Sequence, residues 1–149
     1  MGIFSAMNVG CDGLRVHGTR LDINSRNIAN IDTPNYVRKI PVINATEDIS
    51  FSGLLNNMKE DVFATGTIPF LSGGVHFDGT IEDPTPGEKM YKPGHPDADE
   101  NGFVTASNVN PLVDMADAML AQRAYQASLG VMMISKTMAN RALDIGGNG

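Results

Sequence analysis

The longest helical pattern in the chain is PLVDMADAMLAQRAYQASLGVMMISKTMANRALDI, residues 111–145. Apolar residues recur three or four positions apart along the whole stretch, which is the period of one face of an α-helix. Asn110 can cap the first turn, and Pro111 suits the first helical position. Gly146 favours an end after Ile145. At about 1.5 Å per residue the helix is about 50 Å long, which is too long for a compact domain of this size.

Two stripes of different residue size run along this predicted helix. Large apolar residues on one side mesh with the side chains of a partner, whereas small residues on another side let a partner backbone approach closely. The pattern therefore predicts two packing partners, and a core helix of an ordinary bundle is the alternative. The large stripe contains the predicted subunit-interface residues Val113, Leu120, Ala127, Val131, Ile134 and Met138. The small stripe contains Ala121, Ala124, Ser128, Ser135, Ala139 and Ala142, with Met132 between them.

Before Ser128, four positions on this helix carry charge or a hydroxyl group. Arg123 is the only base before Lys136, and its planar guanidinium suits a carboxylate on a partner. Tyr125 can bury its ring and keep its hydroxyl hydrogen-bonded. We therefore predict both as interface anchors, with a solvated arginine and a partly exposed tyrosine as the alternative. Asp114 and Asp117 place negative charge near the positive end of the helix dipole.

A second helix is predicted from residue 3 to about residue 30. Its seam has apolar residues spaced by sevens, with smaller residues in the column between them. The three glycines of this segment each cost about 1 kcal/mol relative to alanine, so the seam stabilises the helix only against a partner. The segment is predicted to fold on association, unless it is an ordinary N-terminal core helix. The predicted interface residues of the seam are Met7, Cys11, Leu14, Leu21 and Ile28.

Charge is unevenly distributed along the 149 residues. The net charge is −6, residues 33–110 hold eleven acids and five bases, and both terminal segments are neutral. Without a basic patch, no nucleic acid binding is expected. No apolar run is long enough for membrane insertion, and the start MGIFSAMNVG lacks the basic and apolar regions of a cleaved signal peptide. The neutral ends can pack against copies of themselves, whereas the acidic middle is expected to be solvated.

Residues 33–110 have the pattern of a small β-rich insert. Short apolar or alternating runs are separated by Gly, Pro and Asp clusters, which is typical of short strands joined by turns. Strands are predicted at 37–43, 68–71, 74–81 and 103–105, with a short helical piece at 52–59. The predicted fold class is α+β. Long N- and C-terminal helices, within residues 1–32 and 111–149, pair as a coiled-coil-like layer, and the β-rich insert lies between them.

Two motifs resemble a known family of proteins. NIANIDTPNY, residues 27–36, is similar to the N-terminal signature of the axial proteins of the bacterial flagellum, which are the rod, hook and hook-associated proteins. PGHPDADENGFV, residues 93–104, followed by NVN and QRAYQA, resembles the flagellar basal-body rod proteins and, within them, the proximal rod. The resemblance weakens between residues 45 and 73. The signature positions are Asn27, Ala29, Asn30, Asp32, Thr33, Pro34, Tyr36, Pro96, Asp97, Asp99 and Gly102.

The resemblance implies a structural role. In this family the terminal helices of neighbouring subunits pack into a hollow helical shaft that transmits torque across the periplasm, and the insert faces outward. The implied partners are copies of the chain itself, neighbouring flagellar rod proteins and the flagellar type III export apparatus, which exports subunits without a cleaved signal peptide. Another flagellar axial protein is an alternative. A non-flagellar coiled-coil adaptor is a further one, and it would be a folded monomer or small closed oligomer in solution.

The sequence contains no convincing active site. DADENG, residues 97–102, matches the first half of a calcium loop, but the twelfth position is Asn108 instead of glutamate, so a tight turn is the better interpretation. Cys11 and His17 lie about 240° apart on a helix and cannot act together as nucleophile and base. The paired acids that include Asp83 are interpreted as a solvated turn. We predict no enzyme activity, no catalytic or metal-binding residue and no cofactor. A calcium-dependent or hydrolytic enzyme is the least supported alternative.

Overall fold

The structure, a computed structural model, describes residues 3–46 and 73–147. The α+β fold class is confirmed, because two long terminal helices enclose a small antiparallel β region. The strand predicted at 68–71 and the helical piece predicted at 52–59 lie outside the described residues. The elements are helix α1 (Ile3–Ala29), strands β1 (Lys39–Thr46), β2 (Gly74–Glu82), β3 (Lys89–Tyr91) and β4 (Phe103–Thr105), and helix α2 (Pro111–Gly147).

Helices α1 and α2 pack against each other as an antiparallel pair. Near the start of α1, Gly10 lies against Met132, and near its end Asn27 is hydrogen-bonded to Asp114. Later residues of α1 therefore contact earlier residues of α2, which is the order of an antiparallel pair. The glycines of α1 lower its helix propensity, but they also let α2 approach its backbone. The predicted pairing of the terminal helices is thus present within one chain.

The bounds of α2 agree with the sequence at one end and differ at the other. Asn110 Oδ1 accepts hydrogen bonds from the backbone N–H groups of Leu112 at 3.1 Å and Val113 at 3.4 Å, which confirms the predicted cap. The helix continues to Gly147, so the predicted end at residue 145 is wrong. Gly146 does not take the positive φ that makes glycine a helix stop.

The strands form two antiparallel hairpins among the described residues, β1 with β2 and β3 with β4. The register of the first hairpin shifts between Val42 and Ile43, where the opposite residue Gly79 has a φ of 131°. Residues with a side chain rarely adopt that conformation, so the glycine permits the irregularity. The strand predicted at 37–43 begins two residues too early, because β1 starts at Lys39. The prediction missed β3, which has only three residues.

The apolar core of the chain is small. Val16 lines a groove between α1 and β2 together with Val75 and Phe77. Many large apolar side chains, above all those of α2, are exposed instead. No helix among the described residues has the length and apolar character needed to cross a membrane. The buried apolar side chains of the described residues are Val16, Ile23, Val104, Val109 and Ala121.

Candidate assembly surface and polar junction

The small-residue stripe of α2 faces α1 of the same chain. Ala121 is fully buried and Ser135 is nearly so. A Cβ atom added to Gly13 of α1 would lie 2.5 Å from Ser128 Oγ, so the two helices are already in close contact there. Ala142, predicted in the same stripe, is exposed because α2 extends past the start of α1. The partner that approaches this stripe closely therefore belongs to the same chain.

The large-residue stripe of α2 lies beside the stripe that contacts α1 and is exposed, and we call it the Leu120 face. Leu120 is 56% exposed and Ile134 is 63% exposed. A continuous apolar stripe with this exposure is typical of a surface that contacts another protein. Its use as a subunit interface stays a prediction. The Leu120 face consists of Val113, Leu120, Ala127, Val131, Ile134 and Met138, all of which are exposed.

The two predicted anchors of α2 lie in different surroundings. Arg123 is exposed. The ring of Tyr125 lies 3.7 Å from the point where a Cβ atom of Gly18 would be, so part of this ring packs over α1. Arg123 therefore stays a predicted interface residue, while Tyr125 is shared between the helix pair and the surface.

The predicted seam of α1 is not the most buried side of that helix. The seam residues Met7, Leu14, Leu21 and Ile28 are half-buried. Cys11 is exposed, with its Sγ atom 3.8 Å from Met132 Sδ. Among the α1 side chains that the structure describes, the buried apolar ones are Val16 and Ile23, which form another column spaced by seven with Val9. Sequence reasoning missed this column although its spacing was visible, and its burial leaves the predicted seam partly open to a partner.

A cluster of polar side chains, which we call the polar junction, joins the end of α1 to β1 and to the start of α2. Asn27 is fully buried at its centre. Its Nδ2 donates to Asp114 Oδ1 at 3.0 Å and to the Lys39 carbonyl at 2.8 Å. Its Oδ1 accepts from the Lys39 N–H at 3.0 Å and from the Tyr36 hydroxyl at 3.1 Å, so the amide is fully satisfied. The polar junction consists of Asn27, Tyr36, Arg38, Asp83, Asn108 and Asp114.

Arg38 supplies the positive charge of the polar junction. Its Nε lies 2.9 Å from Asp114 Oδ2, and its terminal nitrogens lie 3.4 Å from Asp83 and 3.5 Å from Asp117. The hydrogen bond with Asp114 raises the pKa of Arg38. Burial, and after it the Asp114 charge, raises the pKa of the Tyr36 hydroxyl. Asp114, predicted only as a charge at the helix start, is therefore the fully buried counter-ion of Arg38.

Asn108 connects the segment before α2 to the polar junction. Its Oδ1 accepts from the Arg38 N–H at 2.6 Å, and its Nδ2 donates to the carbonyls of Asp83 at 3.1 Å and Thr85 at 2.7 Å. Hydrogen bonds from Thr85, and then the Arg38 guanidinium, lower the pKa of Asp83. The predicted turn at Asp83 is present, because its Oδ1 accepts from the Thr85 N–H at 3.0 Å. The prediction that this carboxylate is solvated is wrong, because it pairs with Arg38 in the polar junction.

Signature residues outside the polar junction shape the turn after α1. Asn30 Oδ1 accepts from the Thr33 hydroxyl at 3.2 Å, and its Nδ2 donates to the Arg26 carbonyl at 2.8 Å. Asn35 takes a positive φ of 59°, which asparagine tolerates better than most residues. These bonds close the end of the helix and direct the chain towards Tyr36. The signature residues Ala29, Asp32, Thr33, Pro96 and Asp97 are exposed, and Pro34 is half-buried.

The DADENG loop is held by hydrogen bonds to its own backbone. Asp99 Oδ1 accepts from the N–H groups of Asn101 and Phe103, both at 2.9 Å. Gly102 has a φ of 79°, a conformation that favours glycine. These contacts confirm the interpretation of this segment as a tight turn. Among the described residues, no three His, Cys, Asp or Glu side chains are arranged to hold a metal ion.

Sequence reasoning did not foresee the pairing of Arg38 with Asp114. The two residues are 76 positions apart, so no local pattern links them. The sequence offered only the positions of the two residues as a clue. Arg38 lies two residues after the signature residue Tyr36, and Asp114 lies in the first turn of α2. A buried charge at either place requires a partner of opposite charge.

Known proteins resemble the chain over almost its whole length. Residues 100–145 match the family model described as flagellar basal body rod FlgEFG protein C-terminal. The chain is 31% identical to the flagellar basal-body rod protein FlgC of Bacillus subtilis, over 98% of the chain and 99% of that relative. It is 34% identical to the FlgC protein of Borreliella burgdorferi, over 97% and 98%, and 29% identical to that of Salmonella typhimurium, over 98% and 99%. The matching segment 100–145 includes the whole Leu120 face.

Proposed function

The chain belongs to the FlgC family of flagellar basal-body rod proteins, and we propose that it polymerises into the rod through its two terminal helices. It is a structural subunit of the basal-body rod. We further propose that it occupies the proximal part of a hollow, torque-transmitting shaft in the periplasm. It reaches that place through the flagellar type III export apparatus.

The exposed Leu120 face is the observation that carries the proposal. The small-residue stripe of α2 is already used by α1, and the described part of the chain leaves the Leu120 face exposed, so we assign the partner of this face to another chain. Transfer of one leucine side chain from water to an apolar contact stabilises an assembly by about 1.5–3 kcal/mol. Several such residues lie in one stripe along α2. A rod contact through this stripe removes a long exposed apolar surface of the helix from water.

The partly open seam of α1 supports the same proposal. Its apolar residues are half-buried by their own chain, so part of each side chain can still contact a neighbour. The terminal segments are neutral, so copies of the helix pair approach without net repulsion, while the acidic insert stays in solvent. A helical tube needs heterologous contacts, in which one face of a subunit meets a different face of the next. Two separate apolar seams on one helix pair meet that requirement.

The test introduces a charge into the Leu120 face. In the source bacterium without its own copy of this chain, Leu120→Asp is expected to abolish swimming and to remove the chain from isolated basal bodies. Export continues, and the far-UV circular dichroism of the purified chain is unchanged, because Leu120 is exposed in the single chain. Swimming on soft agar, immunoblots of basal bodies and circular dichroism measure the three effects.

Glu88→Lys is the matched control in the acidic insert. Glu88 is exposed, and its substitution changes the charge by two units, against one unit for Leu120→Asp. We expect near-normal swimming from this strain. Normal swimming with Leu120→Asp would contradict the placement of Leu120 in a subunit contact. An equal defect with Glu88→Lys would show that the insert carries an essential contact of its own.

A further inference from the structure

Helix α2 has a second exposed apolar face, which we call the Met119 face. Leu112 is 78% exposed, and the methionines of this face are more than half exposed. The face was not recognised in the sequence, because the regular spacing of the Leu120 face dominates the pattern. It consists of Leu112, Met115, Met119, Leu129 and Met133.

The two faces point in different directions around α2. At about 100° per residue, the centres of the Leu120 face and the Met119 face are about 130° apart, and neither coincides with the stripe that contacts α1. Arg123 and Arg141 lie on the border between the two faces, and both are exposed. The surface of α2 is therefore divided into one face used within the chain and two apolar faces of unlike shape.

We propose that the Leu120 face of one copy packs on the Met119 face of the next copy, so that α2 helices of adjacent subunits meet through unlike faces. This inference rests on the proposed function and names the surface that receives the Leu120 face. A closed dimer of identical faces needs only one such surface on α2. A repeating array needs two, since each copy has a neighbour on either side.

Shape and charge favour a second copy as the occupant of the Met119 face. Methionine is flexible and polarisable, so it adapts to the branched side chains of the opposing face. Gln122 and Gln126 lie within the Met119 face and are exposed, so their amide oxygens can accept hydrogen bonds from Arg123 of the adjacent copy. Residues 111–149 hold three acids and three bases, so two copies of this helix do not repel each other. Both faces lie on one helix and have similar lengths.

Site-specific crosslinking tests which faces meet. Cys11 is the only cysteine, so Cys11→Ser provides a background without thiols. Because Cys11 is itself a predicted interface residue, swimming of this background is first compared with that of the unsubstituted chain. In that background, Leu120→Cys and Val131→Cys mark the Leu120 face, while Met119→Cys and Met133→Cys mark the Met119 face. Two variants are expressed together in the source bacterium, isolated basal bodies are treated with a bismaleimide, and dimers are read on denaturing gels. Glu88→Cys, which is exposed and lies in the insert instead of on α2, is the control.

We expect dimers several-fold above the control only when the two co-expressed variants mark different faces. A variant that cannot occupy every position in the rod is expressed together with the Cys11→Ser chain. The Cys11→Ser copies then fill the remaining positions, so the variant can still enter the rod. Dimers from a single variant would overturn the proposal, because a face would then meet itself. The proposal would also be overturned if two variants that mark different faces are both present in basal bodies but crosslink no more than the control. Absence of the unsubstituted chain from basal bodies would instead count against the proposed function.

Discussion

The polar junction and the outer surface of α2 lie on the same helix but follow opposite rules of burial. Asp114 is fully buried, whereas Leu112, two positions earlier, is 78% exposed. A typical soluble domain buries its leucines and leaves its carboxylates in water. This chain instead uses directional polar contacts to hold its own elements together and leaves many of its large apolar side chains exposed. The difference is expected of a subunit that packs against neighbours, as we propose.

The contrast has a physical reason. A buried ion pair with hydrogen-bonded neighbours is costly to desolvate, yet it accepts only one geometry, so it is suited to fixing how the helices and the first hairpin meet. Apolar contacts are not directional and scale with area, so they are suited to joining copies along a shaft. The small-residue stripe lies between these two cases, because it lets α1 and α2 approach without using the large side chains.

The largest change in stability is expected from Asp114→Ala. It removes the carboxylate that pairs with Arg38 and accepts from Asn27, and it leaves a buried charge without its main partner. We expect the free energy of unfolding to fall by about 3–5 kcal/mol, as measured by urea unfolding followed by circular dichroism. Asp117→Ala, which removes a 40% exposed carboxylate 3.5 Å from Arg38, should cost less than about 1 kcal/mol. If both variants lose the same unfolding free energy, the buried carboxylate of the polar junction contributes no more to stability than the exposed carboxylate of Asp117.

Smaller changes in the free energy of unfolding are expected from substitutions at two glycines of the helix pair, and the two changes have opposite signs. Gly13→Val places side-chain atoms where Ser128 Oγ already lies, so the free energy of unfolding should fall by about 1–3 kcal/mol. Gly130→Ala on α2 meets no atom within 4 Å and should stabilise the chain by up to about 1 kcal/mol through helix propensity. Thermal unfolding of both variants tests this. Stabilisation by Gly13→Val would show that the helices are not in close contact at this position.

The smallest change in the free energy of unfolding is expected from the protonation of His17. Burial, and after it the neighbouring Arg20, lowers the pKa of His17 below its usual 6.5. The folded chain therefore binds fewer protons than the unfolded chain, so its stability falls as the pH decreases below about 6.5 and is unaffected by His17 above that pH. His17→Gln should reduce this dependence between pH 6.5 and 5, as measured by urea unfolding at several pH values. An identical pH profile for both proteins would contradict the assignment.

Much of the fold followed from local patterns. The bounds of both helices, the Asn110 cap and two of the strands were close to the sequence prediction, because periodicity and capping depend on residues within a few positions of each other. The β3 strand was missed because three residues carry too little pattern. Among the candidate site residues, the exposure of the Leu120 face agrees with its predicted availability to a partner.

Where two sequence patterns compete for the same buried position, contacts between residues far apart in sequence decide which one is buried. Two columns spaced by seven run along α1, and periodicity alone did not reveal that Val16 and Ile23 pack within the chain while Leu14 and Leu21 stay partly open. Likewise, nothing local distinguishes Asp114 as a buried counter-ion from Asp117 as an exposed acid.

Helix length, helix ends, the small and large stripes of α2 and the neutral charge of the terminal segments are properties of the sequence, because each depends on neighbours along the chain. Tertiary structure decided which stripe is used within the chain, which stays exposed and how Arg38 finds its counter-ion. These outcomes depend on bringing residues 76 positions apart into contact. Side-chain burial and the pairing of buried charges are properties of the packed molecule as a whole, so no local pattern contains them.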